Sequence, residues 1–120
     1  MTGRAEQGGG VPSPAAPAMI VLIAIPAAEA PAFARGLLED GRAACVNLLP
    51  GVRSTYVWDG RVEESDEALL PVKTTVAGCP ALGRRAREPH PCAVPKILAL
   101  PVAAGFDPCL EWLKRSVTPA

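Results

Sequence analysis

Residues 20–25, Ile-Val-Leu-Ile-Ala-Ile, form an unbroken apolar run rich in β-branched side chains. Such a run predicts a central strand covered on both faces. The period then changes. Over 27–40 the apolar residues Ala30, Phe33, Ala34, Leu37 and Leu38 recur at three- and four-residue intervals, the spacing of one helix face. Pro31 fits only the first turn of this helix, and Gly41 stands where a glycine ends one. Two long strand-like arms follow and fold back at Trp58-Asp59-Gly60-Arg61. An Asp-Gly pair between apolar runs predicts a two-residue hairpin, because both central positions take positive φ. That turn sets Val57 opposite Val62, Tyr56 opposite Glu63 and Arg53 opposite Asp66, the last an opposite-charge pair. Pro50-Gly51 interrupts the outgoing arm and predicts a bulge or bend. Pro71 falls inside the returning arm, where a central strand would lose a ladder bond, and predicts either a bulge there too or a different register.

Residues 76–88 are helix-like around Ala81, Leu82 and Ala86, but Gly78, Pro80 and Gly83 weaken the helix, and Pro80 fits only its first turn. His90-Pro91 and Pro95 break the chain before a fourth strand over 96–102. A final helix over 105–116 starts at Asp107 as N-cap with Pro108 at the first helical position. Leu110, Leu113 and Val117 share one face of it, and Trp112 lies off that stripe. The order β-α-β-β-α-β plus a helix predicts an α+β, ferredoxin-like domain, with two helices on one face of a four-stranded antiparallel sheet. Residues 1–18 are rich in Gly, Pro and Ala and read as a disordered leader, which leaves 19–120 as a single domain. The outgoing arm, from about residue 43 to 58, is roughly 50 Å long. A chain of 120 residues has little else to cover it. The uncovered arm therefore predicts pairing with another copy of the chain.

Charge narrows the function classes. Twelve Lys and Arg balance 12 Asp and Glu, which argues against a nucleic-acid or membrane-surface binder. The apolar run is too short to span a bilayer. Cys45, Cys79, Cys92 and Cys109 form no C-x-x-C pair and read as reduced thiols of a cytoplasmic protein.

Several segments carry a more specific signal: Ala43-Ala44-Cys45-Val46-Asn47, Pro50-Gly51, Ser54, Tyr56, Trp58, Gly60, Val62-Glu63, Lys73-Thr74-Thr75, His90-Pro91, Val94-Pro95, Leu100-Pro101-Val102 and Leu110-x-Trp112-Leu113. In their order and spacing they resemble the CutA family, the divalent-cation tolerance proteins, over 20–116. The resemblance implies a compact PII-like homotrimer in which each long hairpin, between the second and third strands, pairs with sheet edges of its neighbours. It also implies a response to copper or another divalent metal, none of it required for folding. Likeness to the PII signalling proteins leaves two rivals open, a sensor of a small anionic ligand and a trimeric interaction scaffold.

The candidate metal ligands are His90, Cys92 and Cys45. Imidazole and thiolate suit copper, and His90 is the only histidine. An isolated histidine serves as readily to cap a helix or fill an interface, and a strand cysteine to pack a core. Two ligands do not close a tight site, so a trimer would have to supply more. Tyr56, Trp58, Glu63 and Lys73 are candidates for the cleft between subunits, as anion ligands or as interface anchors. The acidic run Glu63-Glu64, Asp66-Glu67 alternates in direction along a strand, so it reads as a solvated or salt-bridged edge. No nucleophile–base pair, phosphate loop or zinc-protease helix is present, and the chain is expected not to be an enzyme. Some positions depart from the family pattern. Ile23-Ala24-Ile25 holds no cysteine, Pro89 removes a tandem histidine, Cys92 replaces a tyrosine, and Lys96 stands where an acidic residue is common.

Overall fold

The computed structural model describes residues 13–14, 18–87 and 96–118. In chain order the elements are β1 (Ser13–Pro14), β2 (Ala18–Pro26), a 3-10 turn (Ala27–Glu29), α1 (Ala30–Glu39), β3 (Cys45–Val46), β4 (Leu49–Trp58), β5 (Arg61–Thr75), α2 (Cys79–Arg87), β6 (Lys96–Pro101), β7 (Ala104–Gly105) and α3 (Asp107–Ser116). The main sheet is antiparallel, in the order β3-β5-β2-β6, with β4 paired to β5 beyond β3. β1 and β7 form a separate two-stranded ladder. The result is the expected α+β, ferredoxin-like arrangement, with a third helix added.

The hairpin follows its turn chemistry. Asp59 and Gly60 have φ of 52° and 75°, as a primed two-residue turn requires. Val57 pairs with Val62, Tyr56 with Glu63 and Arg53 with Asp66. The register shifts between Leu49 and Val52, so the bulge expected at Pro50-Gly51 is present. β2 borders β5 only from Glu67 to Thr75. The ribbon therefore continues past the body as two strands, and Val57 and Val62 are 72% and 73% exposed near its tip.

Pro71 does not produce the second bulge. β5 runs through it without a register shift, and Leu22 lies opposite. In an antiparallel strand the N–H and C=O of one residue point to the same neighbour. The Pro71 carbonyl accepts a hydrogen bond from Asn47 N–H at 3.2 Å, so the missing N–H also faces the outgoing arm. That arm is out of the ladder between β3 and β4, and no bond to the central strand is lost.

One face of the sheet carries the core. Val21, Ile23 and Ile25 of β2 and Ala68, Leu70 and Val72 of β5 pack with Ala30, Phe33 and Leu37 of α1 and Leu82 and Ala86 of α2. Leu38, expected on the same helix face, is exposed. α1 ends in a Schellman motif at Gly41 (φ 71°), with Arg42 N–H bonded to Leu37 O at 2.9 Å and Gly41 N–H to Leu38 O at 3.0 Å. α3 adds a small cluster of Leu113 with Ala18, Ala44, Val102 and Leu110. Its N-cap is Phe106, not Asp107, and no side chain caps it. Asp107 is instead the first helical residue, where its charge still complements the helix dipole.

The opposite face lacks such a cover. Ile20, Leu22 and Ala24 alternate with the buried positions of β2 and are only half-buried. Leu98 and Leu100, beside Leu22 and Ile20 on β6, are 69% and 49% exposed. The strand expected to be covered on both faces is covered on one within a single chain.

Candidate functional site

The helix-free face and the ribbon that extends it hold every described candidate. Cys45 and Lys73 are cross-strand partners on β3 and β5. The Lys73 ammonium donates to Asn47 Oδ1, two residues beyond Cys45 on the same side of the arm. Cys45 is a half-buried free thiol. Its cross-strand neighbour is thus a cation, which disfavours a metal ion at that thiol in one chain. Among the described residues no three His, Cys, Asp or Glu side chains gather as a metal would need. His90 and Cys92 lie outside the described residues.

Tyr56 and Glu63 are also cross-strand partners, and Trp58 pairs with Arg61 at the turn, half exposed. They are remote from Lys73. Glu63 and Lys73 are ten positions apart along β5, about 33 Å at ~3.3 Å per residue. One chain therefore holds two separate groups, Cys45 with Lys73 at the base of the hairpin and Tyr56, Trp58 and Glu63 toward its tip.

The acidic run resolves into different fates. Glu64, the diagonal neighbour of Arg53, accepts from it at 2.9 Å although Asp66 stands directly opposite, and Glu63 lies 3.9 Å from Arg61. These are exposed pairs worth little. Glu67 is different. It sits where the ribbon enters the body, between Val52 and Pro26, and its side chain is 5% exposed. Lys96 Nζ lies 2.9 Å from Glu67 Oε1 and 4.0 Å from the centre of the Tyr56 ring. Three strands thereby contribute a carboxylate, an ammonium and an aromatic face to one cluster on the helix-free side. Glu67 and Lys96 were not singled out as a site by sequence. The signals were indirect: Lys96 replaces a commonly acidic residue, and Glu67 shares the face of Leu69 and Pro71, at the point where that face ceases to be solvent-exposed ribbon.

A model of the family described as CutA1 divalent ion tolerance protein matches residues 19–116. The chain belongs to the CutA1 family. A divalent-cation tolerance protein CutA of Thermus thermophilus is 46% identical over 98 residues, covering 81% of this chain and 95% of that protein. The solved structure of a Cut A1 divalent cation tolerance protein from Thermus thermophilus superposes with a TM-score of 0.82 at 44% identity, covering 84% of this chain and 99% of that one. A PII-like protein CutA from Nostoc, solved in apo form, superposes with a TM-score of 0.81 at 31% identity, covering 85% and 99%. The fold is thus that of CutA1 and PII-like CutA structures, and the chain is a divalent-cation tolerance protein by family. Among the described residues no helix is long and apolar enough to cross a membrane.

Proposed function

We propose that this chain forms a homotrimer that binds or responds to a divalent metal ion such as copper, without catalysis. The observation that carries the reading is the helix-free face, where Leu98 and Leu100 stand exposed beside half-buried Ile20 and Leu22. Burying apolar surface contributes about 25 cal/mol per Å², so a face of this kind favours association. The protruding ribbon supplies strand edges for a neighbour to pair with. In such a trimer Tyr56, Trp58 and Glu63 of one subunit approach Lys73 of another, which joins the two groups that one chain keeps apart.

His90 and Cys92 are the proposed metal donors, by the chemistry of imidazole and thiolate. Cys45 is the weaker candidate because of Lys73. The free thiols of Cys45, Cys79 and Cys109 support a reducing, cytoplasmic setting. A second reading, a small anionic ligand in the cleft between subunits, is favoured by the Lys73 ammonium on the open face.

Light scattering tests the assembly, with a trimer mass expected and a monomer overturning it. Copper titration of the wild type and His90→Ala tests the metal. Weaker binding by the variant supports His90 as a donor, and unchanged affinity removes the assignment.

A further inference from the structure

The outward side of α2 lies on the helix-covered side of the sheet, away from the open face. Cys79, Pro80, Gly83, Arg84 and Arg87 follow one another along it, and Ile97 of β6 joins them around an open cavity of about 530 Å³. α2 carries three arginines in its last turn. Arg85 is committed, with its Nε 2.5 Å from Asp40 Oδ2. Arg84 and Arg87 border the cavity, and no carboxylate among the described residues pairs with either.

Favourable interaction with the helix dipole accounts for basic residues in a last turn. It does not account for a cavity between them. The space beside Gly83 is open: a Cβ there would meet nothing within 4 Å. Arg84 and Arg87 are three apart on the helix and so are side-by-side neighbours. Two guanidinium forks side by side match the oxygens of a carboxylate or phosphate. Pro80 and Ile97 provide an apolar flank. Burial pushes the Cys79 thiol up from its ordinary pKa, so the remaining wall stays neutral and adds no competing negative charge.

We propose that this groove binds a small organic oxyanion, whose phosphate or carboxylate group is held by Arg84 and Arg87 while its apolar part lies against Pro80 and Ile97. Among the described residues the lining comes from one chain, and the proposed contacts call on neither a metal nor a second subunit.

The test is titration of the full chain, with a chelator present, using phenyl phosphate, benzoate and inorganic phosphate, read by calorimetry and by amide shifts in α2 and β6. Saturable binding of phenyl phosphate or benzoate, tighter than inorganic phosphate and weakened at least about tenfold in Arg84→Gln/Arg87→Gln, is the expected result. Whichever of the two organic probes binds tighter names the head group. Arg115→Gln, an exposed arginine of α3 outside the groove lining, leaves binding unchanged. The double variant replaces exposed side chains, and circular dichroism confirms that it folds. Equal affinity in the double variant, or no saturation up to about 10 mM, overturns the proposal. Because metal is chelated, this outcome is separate from that of the copper titration.

Discussion

Lys96 Nζ and Glu67 Oε1 are 2.9 Å apart, joining the first residue of β6 to the point where the hairpin leaves the body of the sheet. The Glu67 side chain is nearly inaccessible, while the Lys96 ammonium also lies over the Tyr56 ring. A buried carboxylate is tolerated when a cation and hydrogen bonds compensate its lost hydration. Lys96 supplies that charge from a strand that does not border the hairpin. The base of the ribbon is thus tied to the body by electrostatics as well as by β5.

Removing one partner is expected to cost more than removing both. Lys96→Met leaves the Glu67 carboxylate without this cation and should destabilise the fold by about 1.5–3 kcal/mol. Glu67→Gln together with Lys96→Met should cost less than the sum of the single changes. Urea unfolding in a double-mutant cycle measures the coupling. Additive losses would show that the pair contributes nothing of its own.

Leu98→Asp with Leu100→Asp puts charge on the open face without entering the core, since both side chains are exposed in one chain. The expected outcome is a folded chain of monomer mass, by light scattering and circular dichroism together. A folded protein of undiminished mass would mean that this face is not the assembly surface.

Gly41 ends α1 with φ 71°, and a Cβ there would collide with the Thr118 side chain, whose own N–H bonds to Gly41 O at 2.8 Å. Gly41→Ala is therefore doubly disfavoured. A loss of about 1–2 kcal/mol from the backbone conformation alone is expected, visible as a lowered Tm.

Burial raises the Cys79 pKa above its ordinary value of 9.0. Its thiolate fraction at neutral pH is therefore smaller than that of a solvated thiol. Iodoacetamide labelling followed by mass spectrometry should find exposed Cys109 modified well before Cys79. The sign for stability follows. As pH rises past 9.0 the unfolded chain releases this proton before the folded one does. The unfolded state then binds fewer protons, and this group's contribution to stability falls with rising pH.

Sequence alone determined the parts of this protein that depend on near neighbours. Asp59-Gly60 required positive φ at both positions, and that set the hairpin and its register as far as Pro50-Gly51. Gly41 ended α1 for the same reason, and alternation along β5 kept the acidic run from gathering on one face. Tyr56 beside Glu63 followed from that register, whereas Cys45 stands opposite Lys73 only because the register shifts by one at Pro50-Gly51.

Tertiary structure decided what depends on distant segments. Whether Pro71 costs a ladder bond turned on where Asn47 leaves the sheet, because only the partner strand defines which side its missing N–H faces. Glu67 is buried and ion-paired, unlike its neighbours in the acidic run, because residues 29 positions away place Lys96 against it. The apolar residues of β2 pointed to two covered faces, yet helices cover one. A side chain's hydrophobicity records that it should leave water, and only the packed fold shows which neighbours are there to receive it.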